Sequence, residues 1–325
     1  MLLTLWSGCI KSTVEPIEND GSAPGPLTDV TWKAIPGGAE ISYELPKDND
    51  LLYARASFTT KSGIRREFKA SIYTNTLRIE GIGDTDTYNV LLEAVDRSEN
   101  HSAPVYIDIT PDTPPVVQAF ESLDVTEDFG GITVSFTNET KADLVLEVLT
   151  ANEENVMTVV ETFYTALPAA TFSVRGYEDV PREFRIRVRD KYDNYSETFV
   201  GTYTPVYEKL LDKSLFRELI LPGDADCNAW SCKMEYIWDG RAAADGDGQT
   251  GAHTGIEEHD GPTWFTFDLG VLAKLSRFNL KFVQDDKHFY NDVSPKIYEV
   301  WGCAELDKSG SWDSWTKLLH IENEK

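Results

Sequence analysis

The strongest constraint on this chain is that it repeats itself once, at a spacing of about 94 residues, ahead of a final third that is different in kind. Gly37-Gly38-Ala39-Glu40-Ile41-Ser42-Tyr43 returns as Gly130-Gly131-Ile132-Thr133-Val134-Ser135-Phe136, and Val95-Asp96-Arg97-Ser98-Glu99-Asn100-His101-Ser102 returns as Arg189-Asp190-Lys191-Tyr192-Asp193-Asn194-Tyr195-Ser196. A period of that length is one small β-sandwich per copy, because solenoid units recur every ~20–45 residues. Phe184, Ile186 and Val188 alternate with Arg185, Arg187 and Arg189, so one face of that strand is core and the other is wet. The Asp-x-x-x-Asn-x-Ser element that follows supplies side chains able to bond local backbone, as a hairpin turn requires.

Proline marks the boundaries. Thr110-Pro111-Asp112-Thr113-Pro114-Pro115 cannot sit inside a paired sheet and divides the copies, and Thr204-Pro205 ends the second. Residues 208 to 219 carry Leu211, Leu215 and Leu219 at four-residue intervals before Pro222-Gly223, which predicts a short amphipathic helix there. In the final third, Trp264, Thr266 and Asp268 alternate with Phe265, Phe267 and Leu269, a strand with one buried face.

The two copies resemble fibronectin-type-III or related immunoglobulin-like modules, by pattern more than by any rare motif. The final third resembles a discoidin-like domain, the coagulation-factor C-type jelly roll. The match runs through Trp238-Asp239-Gly240, the Trp264 to Gly270 run, Leu275-Ser276-Arg277-Phe278-Asn279-Leu280 and Pro295-Lys296-Ile297-Tyr298-Glu299-Val300-Trp301-Gly302. It is similar to the version that closes multidomain surface lipoproteins of bacterial polysaccharide-utilisation systems. The family's closing strands are missing from the match, so the chain is expected to end inside its last domain. The expected architecture is all-β: a leader remnant and flexible tether over 1–26, fibronectin-III-like domains over 27–111 and 112–205, and the short helix with an incomplete discoidin-like jelly roll over 206–325.

A formal charge of −25, from 55 acidic against 30 basic residues, excludes a nucleic-acid partner and attraction to an anionic membrane surface, both of which need a cationic face. Cys9 follows Leu2-Leu3-Thr4-Leu5-Trp6-Ser7-Gly8, an apolar run ending in small residues that looks like the tail of a lipoprotein signal whose cysteine is acylated. The basic n-region is absent and the apolar run short, so the true start is expected upstream of Met1. The segment from Lys11 to Pro26, with three prolines and two glycines, reads as a tether. No stretch reaches the roughly 18 apolar residues that span a bilayer, so membrane attachment is expected only through lipid.

No enzyme motif is present: no Gly-x-Ser-x-Gly elbow, no His-Glu-x-x-His helix and no glycine-rich phosphate loop opening a helix. No catalytic residue is therefore assigned. Discoidin-like domains often hold a structural ion at their loop end, and Asp224, Asp226, Asp245 and Asp247 offer hard oxygen ligands in glycine-rich turns; the alternative is acidic turns and nothing more. Cys227 and Cys232 are close enough to close a small loop, a Cys227 to Cys303 pair is the other option, and Cys303 reads as a buried thiol in an apolar strand.

Sugar binding is the chemistry best served by what remains, because a pyranose stacks its C–H face on tryptophan or tyrosine while a few fixed polar groups hold its hydroxyls. Trp264, Trp301 and Trp238 match packing positions of the resembled family and read as structural. The resemblance implies a ligand site in loops at one end of the sandwich. That singles out Trp230, His253, His259, His288 and Tyr290, with Asp285, Asp286 and Lys287 as hydroxyl partners. The expected function is capture of a polysaccharide or oligosaccharide by a non-catalytic, lipid-anchored protein exposed at the outer-membrane surface, working beside other outer-membrane proteins of a glycan-uptake complex. The alternative is a structural or adhesion subunit that binds another protein of that complex.

Overall fold

The computed structural model describes residues 20–240, 251–254, 261–282 and 294–323. The chain divides into two compact units, Met1–Tyr207 and Glu208–Lys325. The protein is all-β, and the first unit holds both copies of the repeat. Copy one contains β1 (Thr28–Ile35), β2 (Gly38–Glu44), β3 (Leu51–Thr59), β4 (Arg65–Ser71), β5 (Thr76–Ile79), β6 (Tyr88–Asp96) and β7 (Val105–Ile109). Copy two contains a helix, α1 (Pro115–Glu121), then β8 (Asp124–Asp128), β9 (Gly131–Thr137), β10 (Leu144–Ala151), β11 (Met157–Thr165), β12 (Ala169–Arg175), β13 (Arg182–Asp190) and β14 (Phe199–Tyr203). Each copy pairs a three-stranded sheet, β1-β2-β5 or β12-β9-β8, with a four-stranded one, β4-β3-β6-β7 or β11-β10-β13-β14. Three strands against four, all antiparallel, is the arrangement of seven-stranded immunoglobulin-like sandwiches.

Alternation decides which residues fill each core. Val90, Leu92 and Ala94 on β6, and Phe184, Ile186 and Val188 on β13, are all wholly buried, with Ile41 and Val134 facing them from the opposite sheets. Removing Phe184 alone from water contributes roughly 1.5–3 kcal/mol. Gly38 and Gly131 are required for a close approach: a Cβ there would lie 2.0 Å from Ile79 O and 1.8 Å from Val174 O. Helix α1 went unread in the sequence because its prolines look like a break. Pro114 and Pro115 open the helix instead, where a missing N–H costs nothing, and Val116 and Ala119 then close the end of the second core.

The two Asp-x-x-x-Asn-x-Ser elements form the same turn. Asp96 Oδ1 accepts from the N–H groups of Ser98 (2.9 Å) and Asn100 (2.8 Å), and Asn100 Nδ2 donates to Asp96 Oδ2 at 3.0 Å. Asp190 Oδ1 accepts from Tyr192 (2.8 Å) and Asn194 (3.0 Å), and Asn194 Nδ2 donates to Oδ2 at 2.8 Å. The serine then returns to the strand: Ser102 Oγ accepts from Ala94 N, and Ser196 Oγ from Val188 N, both at 2.9 Å. One side chain thus ends the strand and sets the direction of the next.

In copy two the same turn is seated on copy one. Asn194 Nδ2 donates to Gly81 O at 3.1 Å, the Tyr192 hydroxyl donates to Glu80 Oε2 at 3.0 Å, and Arg66 Nη2 donates to Tyr192 O at 2.7 Å with its guanidinium 4.9 Å from the Tyr192 ring centre. Burial and the Glu80 carboxylate push the Tyr192 phenol up to about 12, so it remains a donor. Gly81 makes this fit: a Cβ on it would lie 2.7 Å from the ring. The chain leaving each copy is tied as well, through Gly37 N to Asp112 O at 3.1 Å and Gly130 N to Val206 O at 2.7 Å.

The second unit is built differently. Its ladders are β15 (Arg217–Leu219) with β16 (Thr266–Asp268) and β17 (Ile297–Gly302) with β18 (Thr316–Glu322), each a two-stranded antiparallel pair. The expected helix over 208–219 is corrected here. That segment carries one 3-10 turn, Lys213–Leu215, capped by Asp212 accepting from Ser214 N, and then β15. Leu215, the middle of the stripe, stays 43% exposed and the neighbouring Leu210 81%, so the leucines are not gathered onto one buried face, and so short an isolated helix is marginal without one. Pairing with β16 satisfies the backbone instead. The alternating strand around Trp264 is likewise shorter than its pattern, with Thr266 buried and Phe265 39% exposed.

Replacing Asp190 with alanine is expected to cost about 2–3 kcal/mol, since two backbone donors and the Asn194 amide lose a charged acceptor, with Asp190→Asn milder; urea unfolding of the full chain checks this. Tyr192→Ala is expected to loosen the joint between the sandwiches while both cores stay intact. The checks are small-angle scattering, which should broaden, and hydrogen exchange at Phe184 and Ile186, which should not change.

Candidate functional site

The Glu208–Lys325 unit begins with a chain of local turns. At the Pro222-Gly223 turn, Asp224 Oδ2 accepts from Leu221 N at 3.0 Å and Oδ1 accepts from Thr266 Oγ1 at 3.2 Å, tying the turn to β16. Asp226 Oδ1 accepts from both the backbone N (2.9 Å) and Nδ2 (2.8 Å) of Asn228. Both carboxylates of the expected calcium group that fall among the described residues therefore spend oxygens on neighbouring donors, and an ion would have to share them. Asp245 and Asp247 lie outside the described residues.

Beyond Asn228 the chain meets residues 251–253: Ala229 N donates to His253 O at 3.1 Å, His253 N to Cys227 O at 3.1 Å, and Lys233 N to Gly251 O at 3.2 Å. This pairing brings two of the expected ligand residues together. The Trp230 and His253 rings lie edge to face, 6.4 Å apart between centres and inclined at 74°. Trp230 is held at φ 60, ψ 32, a left-handed conformation that costs a residue with a Cβ about 1–2 kcal/mol, and its side chain is 67% exposed. His259, Asp285, Asp286, Lys287, His288 and Tyr290 lie outside the described residues, as does Cys9.

Further along the chain is a cleft of about 390 Å³ that the sequence did not single out, lined by Lys213, Ser214, Glu235, Tyr236, Trp238 and Asp239. Trp238 packs on Phe267 (5.3 Å between ring centres) and edge-on against Phe216 (5.8 Å), so the structural role expected of it holds for part of its surface. The rest lines the cleft. The sequence signal for it is the local mixture of Tyr236 and Trp238 with Glu235 and Asp239, aromatic faces beside carboxylates.

A second aromatic group surrounds Trp312. Its ring meets Trp264 at 5.6 Å and 82°, Trp301 at 5.2 Å and 84°, and Trp315 at 6.1 Å and 45°. Trp264 is 38% exposed and Trp312 42%, so Trp264 is no core residue; the rings pack on one another with one side open. Trp301 Nε1 donates to Glu299, whose carboxyl is held down to about 2, first by the Lys317 ammonium and then by His320.

Cysteine behaviour also differs from expectation. Cys227, Cys232 and Cys303 are free, and Cys227 is the buried one. Cys303 is only half-buried, one residue past the end of β17, with its thiol toward Glu305 O and Ser314 Oγ. In the first unit the fold gathers Asp20, Asp50 and Asp96, each offering an oxygen within 4.8 Å of the others, residues far apart in sequence. A hydrogen bond with Asp48 raises the Asp50 carboxyl above the usual range.

Burial, with Asp226 and nearby carboxylates, pushes the Cys227 thiol up to about 11. Since the thiolate is the reactive form, Cys227 is expected to resist alkylation at pH 8 in the folded chain and to react on unfolding, as read by peptide mapping of each cysteine.

Three domain-family models match the chain, all described as domains of unknown function: DUF4959 over residues 24–111, DUF5126 over 112–214 and DUF5000 over 238–325. No curated protein matches. Among solved structures, the two-domain fibronectin type-III segment of chicken tenascin is 15% identical, with a TM-score of 0.26, covering 55% of this chain and 99% of that one. The chicken CNTN1 FN1-FN3 domains are 15% identical with a TM-score of 0.24, covering 57% of this chain and 68% of that one. The SusE-like protein BT2857 is 32% identical, with a TM-score of 0.35, and the match covers 65% of this chain and 77% of that one. On that identity over most of the relative's length, the chain belongs to the SusE-like family.

Proposed function

We propose that this protein is a non-catalytic, surface-displayed glycan-binding accessory of a polysaccharide-utilisation system, in which the Glu208–Lys325 unit captures a polysaccharide or oligosaccharide. SusE-like membership supports the setting. The observation that carries the capture role is Trp230, 67% exposed and fixed in a left-handed conformation beside His253. The left-handed backbone holds the Trp230 side chain out at the surface, where an indole face is open for a pyranose to stack on, and the cleft lined by Glu235 and Asp239 would supply hydroxyl partners. In this reading the last domain is discoidin-like and grips ligand at its loop end. Capture runs through stacking and hydroxyl bonding alone. Cys9 would carry the lipid, and no helix among the described residues is long and apolar enough to cross a membrane. The joined pair of sandwiches would act as a spacer, raising the local concentration of weakly held glycan near its partners.

A second reading has its own observation. Val271, Leu272, Leu275 and Phe278 are 46%, 81%, 41% and 44% exposed within eight residues of one another, an apolar run suited to contact with another protein of the same surface complex.

Trp230→Ala is expected to weaken binding to the best glycan about tenfold, ~1.4 kcal/mol, with an unchanged melting temperature, measured by calorimetry after a glycan-array screen. Unaltered affinity would dismiss the Trp230 loop as the site. Full retention on a column of outer-membrane extract by a Leu272→Asp variant would count against the protein-contact reading.

A further inference from the structure

The repeat allows the two sandwiches to be compared position by position, and one outer-face position differs in a way that packing does not explain. On the four-stranded sheet of copy one, Tyr53 stands opposite Ser71, and its ring is covered by the Lys69 ammonium 4.4 Å from its centre while its hydroxyl donates to Glu99. On the matching sheet of copy two, Val145 stands between Tyr164 on β11 and Arg189 on β13. The aromatic ring has moved to the neighbouring strand, and it is 70% exposed. Val145, although it points to the outer face, is only 8% exposed and forms an apolar floor.

Around that floor lies a shallow cleft of about 440 Å³, lined by Asp143, Leu144, Val145, Tyr164, Thr165, Ala166 and Lys191, inside the ~300–1,000 Å³ range of small-ligand sites. Lys191 Nζ and Asp143 Oδ2 face each other at 3.8 Å, beyond hydrogen-bond distance, and their side chains are 53% and 67% exposed. One ring face, one apolar floor, one cation and one carboxylate therefore converge on an open cleft.

We infer that this cleft is a second carbohydrate subsite, on the second sandwich, that takes a neutral pyranose unit. The sugar's C–H face stacks on Tyr164, and two hydroxyls insert between Asp143, which accepts, and Lys191, which donates. Lys191 lies between two carboxylates, Asp143 and Glu80, so in a chain of net charge −25 the cleft has no excess positive charge to hold a uronate or sulfated sugar and selects a neutral one. Lys191 also lies 3.8 Å from Glu80 of copy one, so the subsite borders the joint between the sandwiches. The inference rests on the glycan-capture reading but on none of the residues assigned to it.

The test uses the full chain and its Tyr164→Ala, Lys191→Met and Trp230→Ala variants, titrated calorimetrically with neutral hexasaccharides of β-1,4-glucan, α-1,4-glucan, β-1,4-mannan and β-1,4-xylan, and with a hexagalacturonate. The expected result is two sites for one neutral probe, of which Tyr164→Ala removes one, with Lys191→Met weakening that site about fivefold and no heat from the uronate. Tyr164 is on the exposed face, so its truncation is expected to leave melting unchanged. Loss of binding in Tyr164→Ala alone supports the subsite and overturns the Trp230 site. A Tyr164→Ala isotherm identical to the parent's overturns the subsite and leaves the Trp230 site standing if Trp230→Ala weakens binding. Absence of heat with every probe overturns both.

Discussion

A carboxylate that closes a turn organises the first two thirds of this protein. Asp96 and Asp190 each end a nine-residue inner strand of their sandwich, accept two backbone N–H groups, and hold an asparagine whose amide has a second hydrogen to give. In copy two that hydrogen goes to Gly81 of copy one, and in copy one it goes to Asp20 and Ser22. The same local motif therefore ends a strand, fixes a turn and docks the preceding segment. Buried donors must be satisfied within the protein, so removing the carboxylate disturbs every one of these functions together.

The joint in turn determines what the first unit can be used for. Gly81 and Tyr192 fit as socket and ring, and the segments leaving each copy are bonded back to the hairpin turns at Gly37 and Gly130. Two sandwiches fixed in this way are joined by side-chain hydrogen bonds and a ring in a socket as well as by the connecting chain.

The final unit reverses this balance between core and surface. Its large aromatic side chains pack on one another or line open clefts, as with Trp312 between Trp264 and Trp301, and among the described residues its fully buried apolar side chains are few. Rings supported edge-on by other rings are rigid without being enclosed. That is the property a stacking surface needs, and it is also why tryptophans that look like core in the sequence are partly solvent-exposed in the fold.

Much of the fold was legible because strand alternation and the Asp-x-x-x-Asn-x-Ser turn are local: Phe184, Ile186 and Val188 had to face one way, and Asp190 could cap only its own turn. The helix expected over 208–219 did not form because leucines at helical spacing need one apolar surface to receive them, and the end of that segment, Arg217–Leu219, pairs instead with the distant strand β16. Of the expected ligand residues, Trp230 and His253 follow from the discoidin-like resemblance, which points to loops at one end of the sandwich, but their contact depends on a pairing between two distant loops, and the clefts at Trp238 and Tyr164 depend on neighbours with no sequence relation to one another. By itself the sequence determined what is short-range: strand direction, buried face, turn chemistry, charge and the number of repeated modules. Only the tertiary structure decided which loops meet, which rings stay open and how one module seats on the next, because those outcomes depend on space left between elements far apart along the chain.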